Sequence, residues 1–482
     1  LLEQGAVHSA LITADTFDYE IVDKVYTPYD NLSIMVSLKP DGSTEKEVVA
    51  SIGESLRAGW NYPQDVSRMK EIFRAPSLQL VTFTITEKGY ALTDLDGNWL
   101  PAAKADFSVG PGGCTHAMGW VAALLWERYQ AGAFPLAVVS TDNCSQNGAK
   151  LRKGVLTMAE QWLHHGSVNR AYLNWLQDEN QVSFPWTMID KITPRPALAV
   201  ANMLAEAGVE DIAPVITAKK SFVAPFVNAE IPQYLVIEDR FPNGRPPLER
   251  AGVYMTDRDT VNKCERMKVS TCLNPLHTAL AIFGCLLGYT SIAAEMQDPQ
   301  LKALVEKIGL QEGMPAVADP GILDPEAFIR QVLEERFPNP FIPDTPQRIA
   351  TDTSQKIPIR FGETIKAYMA RPNLNPEELF YIPLAIAGWL RYLLALDDQG
   401  QPMECSSDPM LPQLQAQLSG VTLERPESVA GKLTVILSNE TLFGTNLVKA
   451  GLAPRIEEMF SQMLAGKGAV RRTLIQYLEG KS

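Results

Sequence analysis

The sequence predicts an α/β domain followed by an all-helical domain. Short β-rich runs alternate with helical stretches over the first half, which is the pattern of a parallel sheet with crossover helices. From about residue 261 onward, apolar residues recur at helical spacing between proline loops such as FPNPFIPDTP at residues 337–346. The chain has 482 residues, of which 46% are hydrophobic, enough for two large cores. We therefore assign residues 1–260 to the α/β domain and residues 261–482 to the helical domain.

Three β-rich runs are the predicted strands of the parallel sheet, and each ends in a polar turn. They are SALITA at residues 9–14, LQLVTFTIT at residues 78–86 and PLAVVS at residues 135–140. Between the last two, residues 116–130 have apolar side chains at the spacing of a helix. Residues 36–49, with PDG at 40–42, predict a hairpin added to that sheet, and residues 213–237 form a second β-rich stretch.

The charge balance disfavours nucleic acid and anionic membranes as partners. Lys and Arg number 43 against 56 Asp and Glu, a formal net charge of -13, and no block of basic residues occurs. Binding to such partners requires a concentrated positive face. The apolar runs at residues 278–294 and 379–396 are predicted to be core helices of a soluble domain, because glycines interrupt the first and Arg391 lies within the second. We therefore expect no membrane partner.

Cysteine and histidine usage indicates a cytoplasmic protein without a metal. Six cysteines are scattered without a CxxC pair, which is typical of reduced thiols. Five histidines occur, with no HxxxH pair and no Cys/His cluster, so a metal site is not expected. Neither a GxSxG elbow nor a GxxxxGK[ST] loop is present, which removes the commonest serine-hydrolase and P-loop interpretations.

Polar side chains follow each predicted strand, where ligands of open parallel sheets bind. Asp15 follows the first strand, a position from which an acid accepts hydrogen bonds from an adenosine ribose, although an ordinary loop aspartate is the alternative. After the second strand come small and hydroxyl residues that would let a nicotinamide or its phosphates approach the backbone. These predicted cofactor-binding residues are Thr86, Glu87, Gly89 and Tyr90.

The loop after the third strand, TDNCSQNG, offers a neutral donor. Asn143 can donate a hydrogen bond to an oxyanion. Asn147 and Gly148 form a dipeptide that predicts a turn. Taken alone, each feature is as compatible with turn formation as with catalysis.

The junction between the two halves, MKVSTCLNPLHTALA at residues 267–281, carries a second candidate group. Asn274 before proline predicts a helix N-cap, so His277 falls in the first helical turn, where the helix dipole disfavours the imidazolium. Lys268 precedes that helix among residues that could desolvate it, and desolvation is how a lysine becomes a proton acceptor near neutral pH. A capped core helix preceded by a surface lysine is the alternative.

Six motifs occur in an order that is seen in long-chain polyol dehydrogenases. They are TITEKGY, STDNCSQNG, FPWTMIDKITPRP, APFVNAEIPQYLVIEDRFPNGRPP, KVSTCLNPLH and RIATDTSQKIP. On these motifs, which span nearly the whole chain, the sequence resembles the mannitol dehydrogenase and fructuronate reductase (mannonate oxidoreductase) family. The residues of CLNPLHTALA and IDKITPRP are most similar to those of the fructuronate reductases in the family.

The resemblance implies a Rossmann-type α/β N-terminal domain, an all-α C-terminal domain, NAD(H) or NADP(H) as hydride carrier, and no metal. By motif, Lys268 resembles the general acid/base, and Asn143 with Asn274 resembles the pair that polarises the reacting oxygen. His277 is grouped with these catalytic residues because it matches a substrate-contacting position beside them. The other substrate-contacting matches are Asp190, Arg348 and Lys356, with Arg195 as a further candidate next to Asp190.

Two features depart from the family pattern. The glycine-rich loop that should precede the second strand of the family fold is missing, and we expect residues preceding Leu1 to carry it. Five residues separate Lys268 from Asn274, whereas the mannitol dehydrogenase pattern has four. This spacing argues against a protein that follows the mannitol dehydrogenase pattern strictly.

The function implied by the resemblance is reversible NAD-dependent oxidation of mannonate to fructuronate in hexuronate catabolism. The alternatives are the same chemistry on mannitol or arabinitol, reduction of tagaturonate, or a catalytically idle relative that senses nucleotide or sugar. Asp15 favours NAD over NADP, because a carboxylate repels a 2′-phosphate. We expect a small-molecule sugar acid or polyol as substrate, and a monomer or weak homo-oligomer.

Overall fold

A computed structural model describes residues 1–94 and 96–479. Contacts between Cα atoms divide the chain into two compact units. The first comprises Leu1–Leu38 and Ser43–Asn262, and the second comprises Lys39–Gly42 and Lys263–Ser482. The first unit is α/β, and every named strand of the described residues belongs to it. The predicted fold class is therefore confirmed.

The first unit contains several small sheets and the helices that cover them. Its strands are β1 (Leu11–Asp15), β2 (Ser33–Leu38), β3 (Thr44–Val49), β4 (Ile52–Arg57), β5 (Leu80–Phe83), β6 (Leu136–Ser140), β7 (Val182–Ser183), β8 (Thr187–Asp190), β9 (Val215–Ile216), β10 (Phe222–Val223), β11 (Phe226–Glu230), β12 (Tyr234–Glu238) and β13 (Tyr254–Thr256). Its helices are α1 (Pro63–Arg74), α2 (Pro101–Val109), α3 (Ala117–Gly132), α4 (Asn147–His164), α5 (Arg170–Gln177) and α6 (Leu198–Glu206).

The three predicted strands are β1, β5 and β6, and each pairs in parallel as expected, but the prediction that they share one sheet was wrong. β5, β6 and β7 form one parallel sheet, while β1 pairs with β4 in another. The predicted crossover helix is α3, and the side chains of its first half are buried. β5 ends at Phe83 rather than at residue 86, because the backbone N–H groups of Ile85 and Thr86 donate to the Asp142 carboxylate instead of to a strand.

The predicted hairpin is present, but its place in the parallel sheet was wrong. β2 and β3 are antiparallel and flank the PDG turn, as predicted. β2 pairs on its other side with β11, in a separate sheet of order β11-β2-β3. Val36 and Leu38 of β2 pack against Val200 and Leu204 of α6, so the hairpin has its own small core.

The second unit is built from helices joined by proline-containing loops. α7 (Arg258–Met267) crosses the boundary between the units. The helices after it are α8 (Asn274–Leu287), α9 (Ile292–Glu295), α10 (Pro299–Glu306), α11 (Pro325–Gln331), α12 (Pro346–Ile349), α13 (Thr353–Ile357), α14 (Glu363–Ala370), α15 (Tyr381–Tyr392), α16 (Leu411–Gln417), α17 (Thr434–Leu437), α18 (Glu440–Phe443), α19 (Ala453–Met463) and α20 (Ala469–Glu479).

The core of the second unit is centred on α8 and α15, which are buried along nearly their whole length. The two helices approach closely at Gly388, where a Cβ atom would lie 2.5 Å from the Phe283 ring. Arg391 is 1% exposed, and its guanidinium donates to the carbonyls of Leu396 at 2.6 Å and Asp397 at 2.8 Å. Backbone acceptors therefore explain how an arginine is accommodated in the apolar run at residues 379–396.

One helical stretch, Arg258–Leu287, is long and apolar enough to span a membrane by length and composition. The apolar run at residues 278–294 overlaps the end of this stretch, and the structure divides that run at Gly288 between α8 and α9. Of the most apolar window in Arg258–Leu287, 78% is buried inside the protein. Burial of this kind is typical of a core helix, which passes the same length and composition test.

A carboxyl group is buried without hydrogen bonds beside α8. Glu295 is 0% exposed, and in the described part of the chain neither of its side-chain oxygens has a hydrogen-bond partner. A Cβ atom at Gly284 would lie 2.1 Å from Glu295 Oε1, so this glycine provides the space for the carboxyl group. Burial, reinforced by nearby Asp298, raises the pKa of Glu295 to about 9. Glu295 is therefore protonated in the folded protein at neutral pH.

The raised pKa of Glu295 predicts a pH-dependent loss of stability. The unfolded chain releases this proton near the ordinary pKa of glutamate, whereas the folded chain retains it up to about pH 9. The contribution of this proton to the free energy of unfolding is therefore complete below the pKa of Glu295 in the unfolded chain. It decreases as the pH rises toward the pKa of Glu295 in the folded chain, by at most about 1.4 kcal/mol per pH unit. We expect the Tm of wild type to fall relative to Glu295→Gln between about pH 6 and about pH 8. Parallel Tm curves for the two proteins would contradict this interpretation.

Candidate active site

In the first unit, Asp142 holds together the loops that follow β5 and β6. Its carboxylate accepts hydrogen bonds from the backbone N–H groups of Ile85 at 2.9 Å and Thr86 at 2.8 Å, and from the Tyr90 hydroxyl. Tyr90 also shares a hydrogen bond with Ser140 Oγ at 2.7 Å. Sequence reasoning did not select Asp142, although its position directly after a buried strand was an available signal. The two strand-end loops are consequently fixed to each other.

The predicted cofactor loop lies at this strand end, where several of its side chains have structural partners. Thr86 has a φ of 63°, a region that β-branched residues rarely adopt, and the N–H bond to Asp142 holds it there. Glu87 is exposed and forms an ion pair with Lys150. A Cβ atom at Gly89 would lie 2.9 Å from Ile85, so the glycine is required for packing. The Tyr90 hydroxyl is engaged by Asp142 and Ser140.

Asn143 and Asn147 in the next loop have opposite environments. Asn143 directly follows Asp142 and its side chain is exposed. Asn147 is 0% exposed and begins α4, so the predicted turn at Asn147-Gly148 was wrong. The Asn147 amide donates to Asp142 O at 2.9 Å and to Thr187 Oγ1 at 2.8 Å, and accepts from Thr187 N at 3.0 Å. These bonds to β8 stabilise the first turn of a helix where the dipeptide alone favours a hairpin turn.

Asp190 and Arg195 follow each other closely in sequence but differ in burial. Asp190 is the last residue of β8, lies opposite Tyr234 of β12 and is 3% exposed. Arg195 is exposed, and its guanidinium carbon lies 4.5 Å from the ring centroid of Phe222 in β10. The structure thus gives Arg195 an aromatic partner at the surface of the first unit.

Asp15 ends β1 in a compact turn that leaves one carboxylate oxygen available. Asp15 Oδ1 accepts hydrogen bonds from the backbone N–H groups of Phe17 at 2.7 Å and Asp18 at 2.6 Å. No hydrogen bond to Oδ2 occurs within residues 1–94 and 96–479. A ribose hydroxyl could donate to that oxygen, so the group fits the adenosine end of a dinucleotide.

In the second unit, Lys268 lies in a π-helical turn between α7 and α8. This turn comprises Lys268–Cys272, and Leu273 N donates to Lys268 O at 3.1 Å. Lys268 is 2% exposed, which excludes the surface-lysine alternative. A π-helical turn contains more residues than an α-helical one, so it accommodates the one additional residue between Lys268 and Asn274.

The predicted N-cap at Asn274 was wrong, whereas the predicted position of His277 is confirmed. Leu273 occupies the cap position and no side chain caps the helix, because the π-helical turn leads into α8 with a single non-helical residue. Asn274 is the first residue of α8, and Pro275 follows it. His277 N donates to Leu273 O at 3.0 Å, which places His277 in the first turn.

The His277 ring is largely buried and carries an unpartnered nitrogen. Its Nε2 atom lies 3.6 Å from Asp344 Oδ2, too far for a hydrogen bond, and has no other partner among the described residues. The ring packs against Phe337 with a centroid separation of 5.1 Å. Burial, and after it the surrounding cations, lower the pKa of His277 to about 3. The imidazole is therefore neutral at physiological pH.

Four cations affect the His277 ring electrostatically: Arg360, Arg348, Arg336 and Lys356. Arg348 forms an ion pair with Asp344, and its side chain remains 63% exposed. Lys356 donates to Ile349 O at 3.2 Å and to Thr351 O, and burial, reinforced by Arg360, lowers its pKa to about 8. The structure thus brings together three of the predicted residues of this unit, His277, Arg348 and Lys356.

Sequence reasoning missed Arg336, Arg360 and Asp344 in this cluster. Arg336 is 4% exposed and lies in the π-helical turn Val332–Arg336. Arg360 lies four residues after Lys356, so its spacing along the helical segment was a signal that could have been used. Asp344, in the proline-rich loop before α12, is the carboxylate that neutralises Arg348.

In the part of the chain that the structure describes, the groups that could bind a metal ion or undergo redox chemistry are few. Within the described residues, no group of three or more His, Cys, Asp or Glu side chains could hold a metal ion. The six cysteines are free thiols, and burial raises the pKa of Cys272, in the π-helical turn after Lys268, to about 12.

Comparisons with known proteins connect both units to one family. The family model for the mannitol dehydrogenase Rossmann domain matches residues 13–250, and that for the mannitol dehydrogenase C-terminal domain matches residues 260–464. The D-mannonate oxidoreductase of Thermotoga maritima is 54% identical over 476 residues, which cover 98% of this chain and 88% of the relative.

Solved structures agree with the sequence comparison. The ternary complex of Pseudomonas fluorescens mannitol 2-dehydrogenase with NAD and D-mannitol matches with a TM-score of 0.68 at 27% identity, covering 98% of this chain and 88% of that chain. A D-sorbitol dehydrogenase in substrate-free form shares the fold, with a TM-score of 0.78 at 24% identity, over 96% of this chain and 88% of the other. The chain belongs to the mannitol dehydrogenase family.

Proposed function

We propose that this protein catalyses the reversible, NAD-dependent interconversion of D-mannonate and D-fructuronate. The observation that carries the proposal is the 54% identity to a D-mannonate oxidoreductase over 98% of the chain. In this proposal the domain of residues 1–260 binds the dinucleotide, and the domain of residues 261–482 supplies the proton-transfer group and most substrate contacts. Free thiols on all six cysteines support a reducing, cytoplasmic environment.

The residues of the chain divide the chemistry between proton transfer and charge stabilisation. Lys268, when protonated, delivers a proton to the carbonyl oxygen as it becomes an alkoxide, and accepts that proton back during oxidation. The amides of Asn143 and Asn274 donate hydrogen bonds to the same oxygen, where negative charge develops. His277, neutral with an unpartnered Nε2, is suited to bind a substrate hydroxyl. NAD, when bound, supplies the hydride acceptor.

The cluster around His277 supports an acid rather than a neutral polyol as substrate. Arg336, Arg348, Lys356 and Arg360 place four positive charges around the ring, and the Asp344 carboxylate forms an ion pair with Arg348. Positive charge gathered in a partly desolvated site is stabilised by a bound anion. Asp190 and Arg195 complete the proposed substrate contacts from the first domain.

The adenosine end of NAD is proposed to bind at Asp15, through the Oδ2 atom that the turn leaves available. We expect NADH to be preferred over NADPH in kcat/KM, because the carboxylate repels a 2′-phosphate. Asp15→Ser should lower the ratio of kcat/KM with NADH to kcat/KM with NADPH by about tenfold. Asp23→Ser is a matched control nearby in the chain and should leave this ratio unchanged. Steady-state kinetics with both cofactors measure the ratio. Equal efficiency with NADH and NADPH in wild type would show that the assignment of Asp15 is wrong.

A panel of four substrates tests the proposed function. NADH oxidation is followed with D-fructuronate, D-tagaturonate, D-fructose and D-xylulose, and NADH binding is measured separately by calorimetry. We expect the highest kcat/KM with D-fructuronate. Binding of NADH without turnover of any substrate would favour a sensor instead.

The second candidate function is a polyol 2-dehydrogenase that acts on mannitol or arabinitol. It is favoured by the structural similarity to a mannitol 2-dehydrogenase crystallised with D-mannitol. In the panel, this candidate predicts the highest kcat/KM with one of the neutral ketoses.

A further inference from the structure

Arg360 is a partly buried cation near His277 whose guanidinium is largely unused within the protein. It lies in the π-helical turn Pro358–Gly362, and its Nη1 atom donates to the hydroxyl of Thr278. Within the described residues this is its one hydrogen bond, and no carboxylate pairs with it. Burial lowers the pKa of Arg360 to about 10, which still leaves the guanidinium charged at neutral pH.

The two cations selected from the sequence are already engaged within the protein. Arg348 pairs with Asp344, and the Lys356 ammonium donates to two backbone carbonyls. A guanidinium has five N–H donors, and Arg360 uses one of them. Its remaining donors can therefore accept a bidentate carboxylate without breaking a contact that the structure shows.

Thr278 fixes the Arg360 guanidinium to the first turns of α8. Thr278 is 2% exposed, and its hydroxyl donates to Asn274 O at 3.0 Å while accepting from Arg360. Thr278 directly follows His277 in the chain. A carboxylate held by Arg360 would thus lie against the helix segment that carries Asn274 and His277, the proposed contacts to the rest of the substrate.

We propose that Arg360 is the specificity-determining residue that binds the carboxylate of the sugar acid, with Thr278 as its positioning residue. This inference rests on the proposed function and assigns within it the group that distinguishes an acid from a polyol. Arg348 and Lys356 then contribute positive charge around the site, while the planar guanidinium of Arg360 donates the hydrogen bonds to the substrate carboxylate.

The test compares Arg360→Gln and Arg360→Lys with wild type, and Arg330→Gln serves as a matched control. Arg330 is an exposed arginine of the same unit, paired with Glu326, so its loss removes the same charge from the surface. The readouts are kcat/KM for D-fructuronate and D-fructose, and the Kd of D-mannonate by calorimetry in the presence of NADH. Circular dichroism and Tm establish that each variant is folded, and Arg360→Lys retains the charge if Arg360→Gln does not fold.

For Arg360→Gln we expect kcat/KM with D-fructuronate to fall about ten- to a hundred-fold, mainly through KM, and the Kd of D-mannonate to rise by a similar factor. Arg360→Lys should recover part of this loss, because an ammonium keeps the charge but not the bidentate geometry. Thr278→Val should cause a smaller loss in the same direction. The efficiency with D-fructose should change less than about twofold, and Arg330→Gln should behave as wild type.

Two results would overturn the inference, and they differ in what else they contradict. In the first, wild type prefers D-fructuronate, but Arg360→Gln either lowers kcat/KM equally for D-fructuronate and D-fructose or leaves both values unchanged. Arg360 then does not bind the carboxylate, and the proposed function stands. If wild type itself prefers D-fructose, the proposed function and this inference both fail.

Discussion

We expect Lys268→Met to lower kcat by about two to four orders of magnitude, the usual contribution of a positioned general acid/base. Methionine retains most of the length of the side chain, and Lys268 is only 2% exposed, so an apolar replacement is compatible with its environment. Because the substituted group transfers a proton and does not bind the dinucleotide, the Kd of NADH should change little. Pre-steady-state and steady-state kinetics with D-fructuronate provide the measurement.

Lys263→Met is the matched control for this variant. Lys263 lies five residues earlier in α7 and is partly buried, so both substitutions remove a lysine from the same helical stretch. We expect a near-normal kcat in Lys263→Met. If that variant is the inactive one and Lys268→Met is active, the proton-transfer role belongs to Lys263.

The second large effect is expected for Asn143→Ala, which should lower kcat by about a hundred- to a thousand-fold with little change in KM. The lost amide donates to an oxygen whose charge develops in the transition state, so the substitution weakens transition-state binding more than substrate binding. Asn143 is exposed in a loop, so the Tm of the Asn143→Ala variant should equal that of wild type.

Asn147→Ala distinguishes this catalytic effect from a structural one. Asn147 is completely buried and bonds the loop after β6 to Thr187 of β8. Its replacement leaves buried partners without hydrogen bonds, which destabilises a protein by about 1–3 kcal/mol for each group. We expect a lower Tm for Asn147→Ala. A lower Tm and an unchanged kcat in Asn143→Ala would show that its amide is structural too.

Local patterns in the sequence were sufficient for three strands of the first unit and for the helix that carries His277. Alternating apolar runs placed β1, β5 and β6 within a few residues of their observed ends. The family motifs selected His277, Arg348 and Lys356, which the structure brings together around one ring. The predictions of strands and helices succeeded because they depend on residues close in sequence. The prediction of the three site residues succeeded because family motifs mark residues that lie together in the folded protein.

The features that sequence reasoning missed depend on partners that are distant in the chain. Asn147 forms a helix start rather than a turn because of Thr187, forty residues away. The hairpin of β2 and β3 joins β11 because α6 covers that separate sheet. The π-helical turn at Lys268 absorbs an additional residue that appeared only as a change of spacing. The contact of Arg360 with Thr278, eighty-two residues away, likewise depends on the folded chain, as does the lack of a carboxylate partner for Arg360 among the described residues.

The most direct test of the central claim is the ratio of kcat/KM for oxidation of D-mannonate to that of D-mannitol by the wild-type enzyme with NAD. The two substrates differ in that one carries a carboxylate where the other has a hydroxymethyl group, so the ratio isolates the contribution of the cationic cluster. A charge-assisted contact of about 1.5–3 kcal/mol predicts a preference for D-mannonate of at least about tenfold. A ratio of one or below would contradict the account and assign the enzyme to neutral polyols.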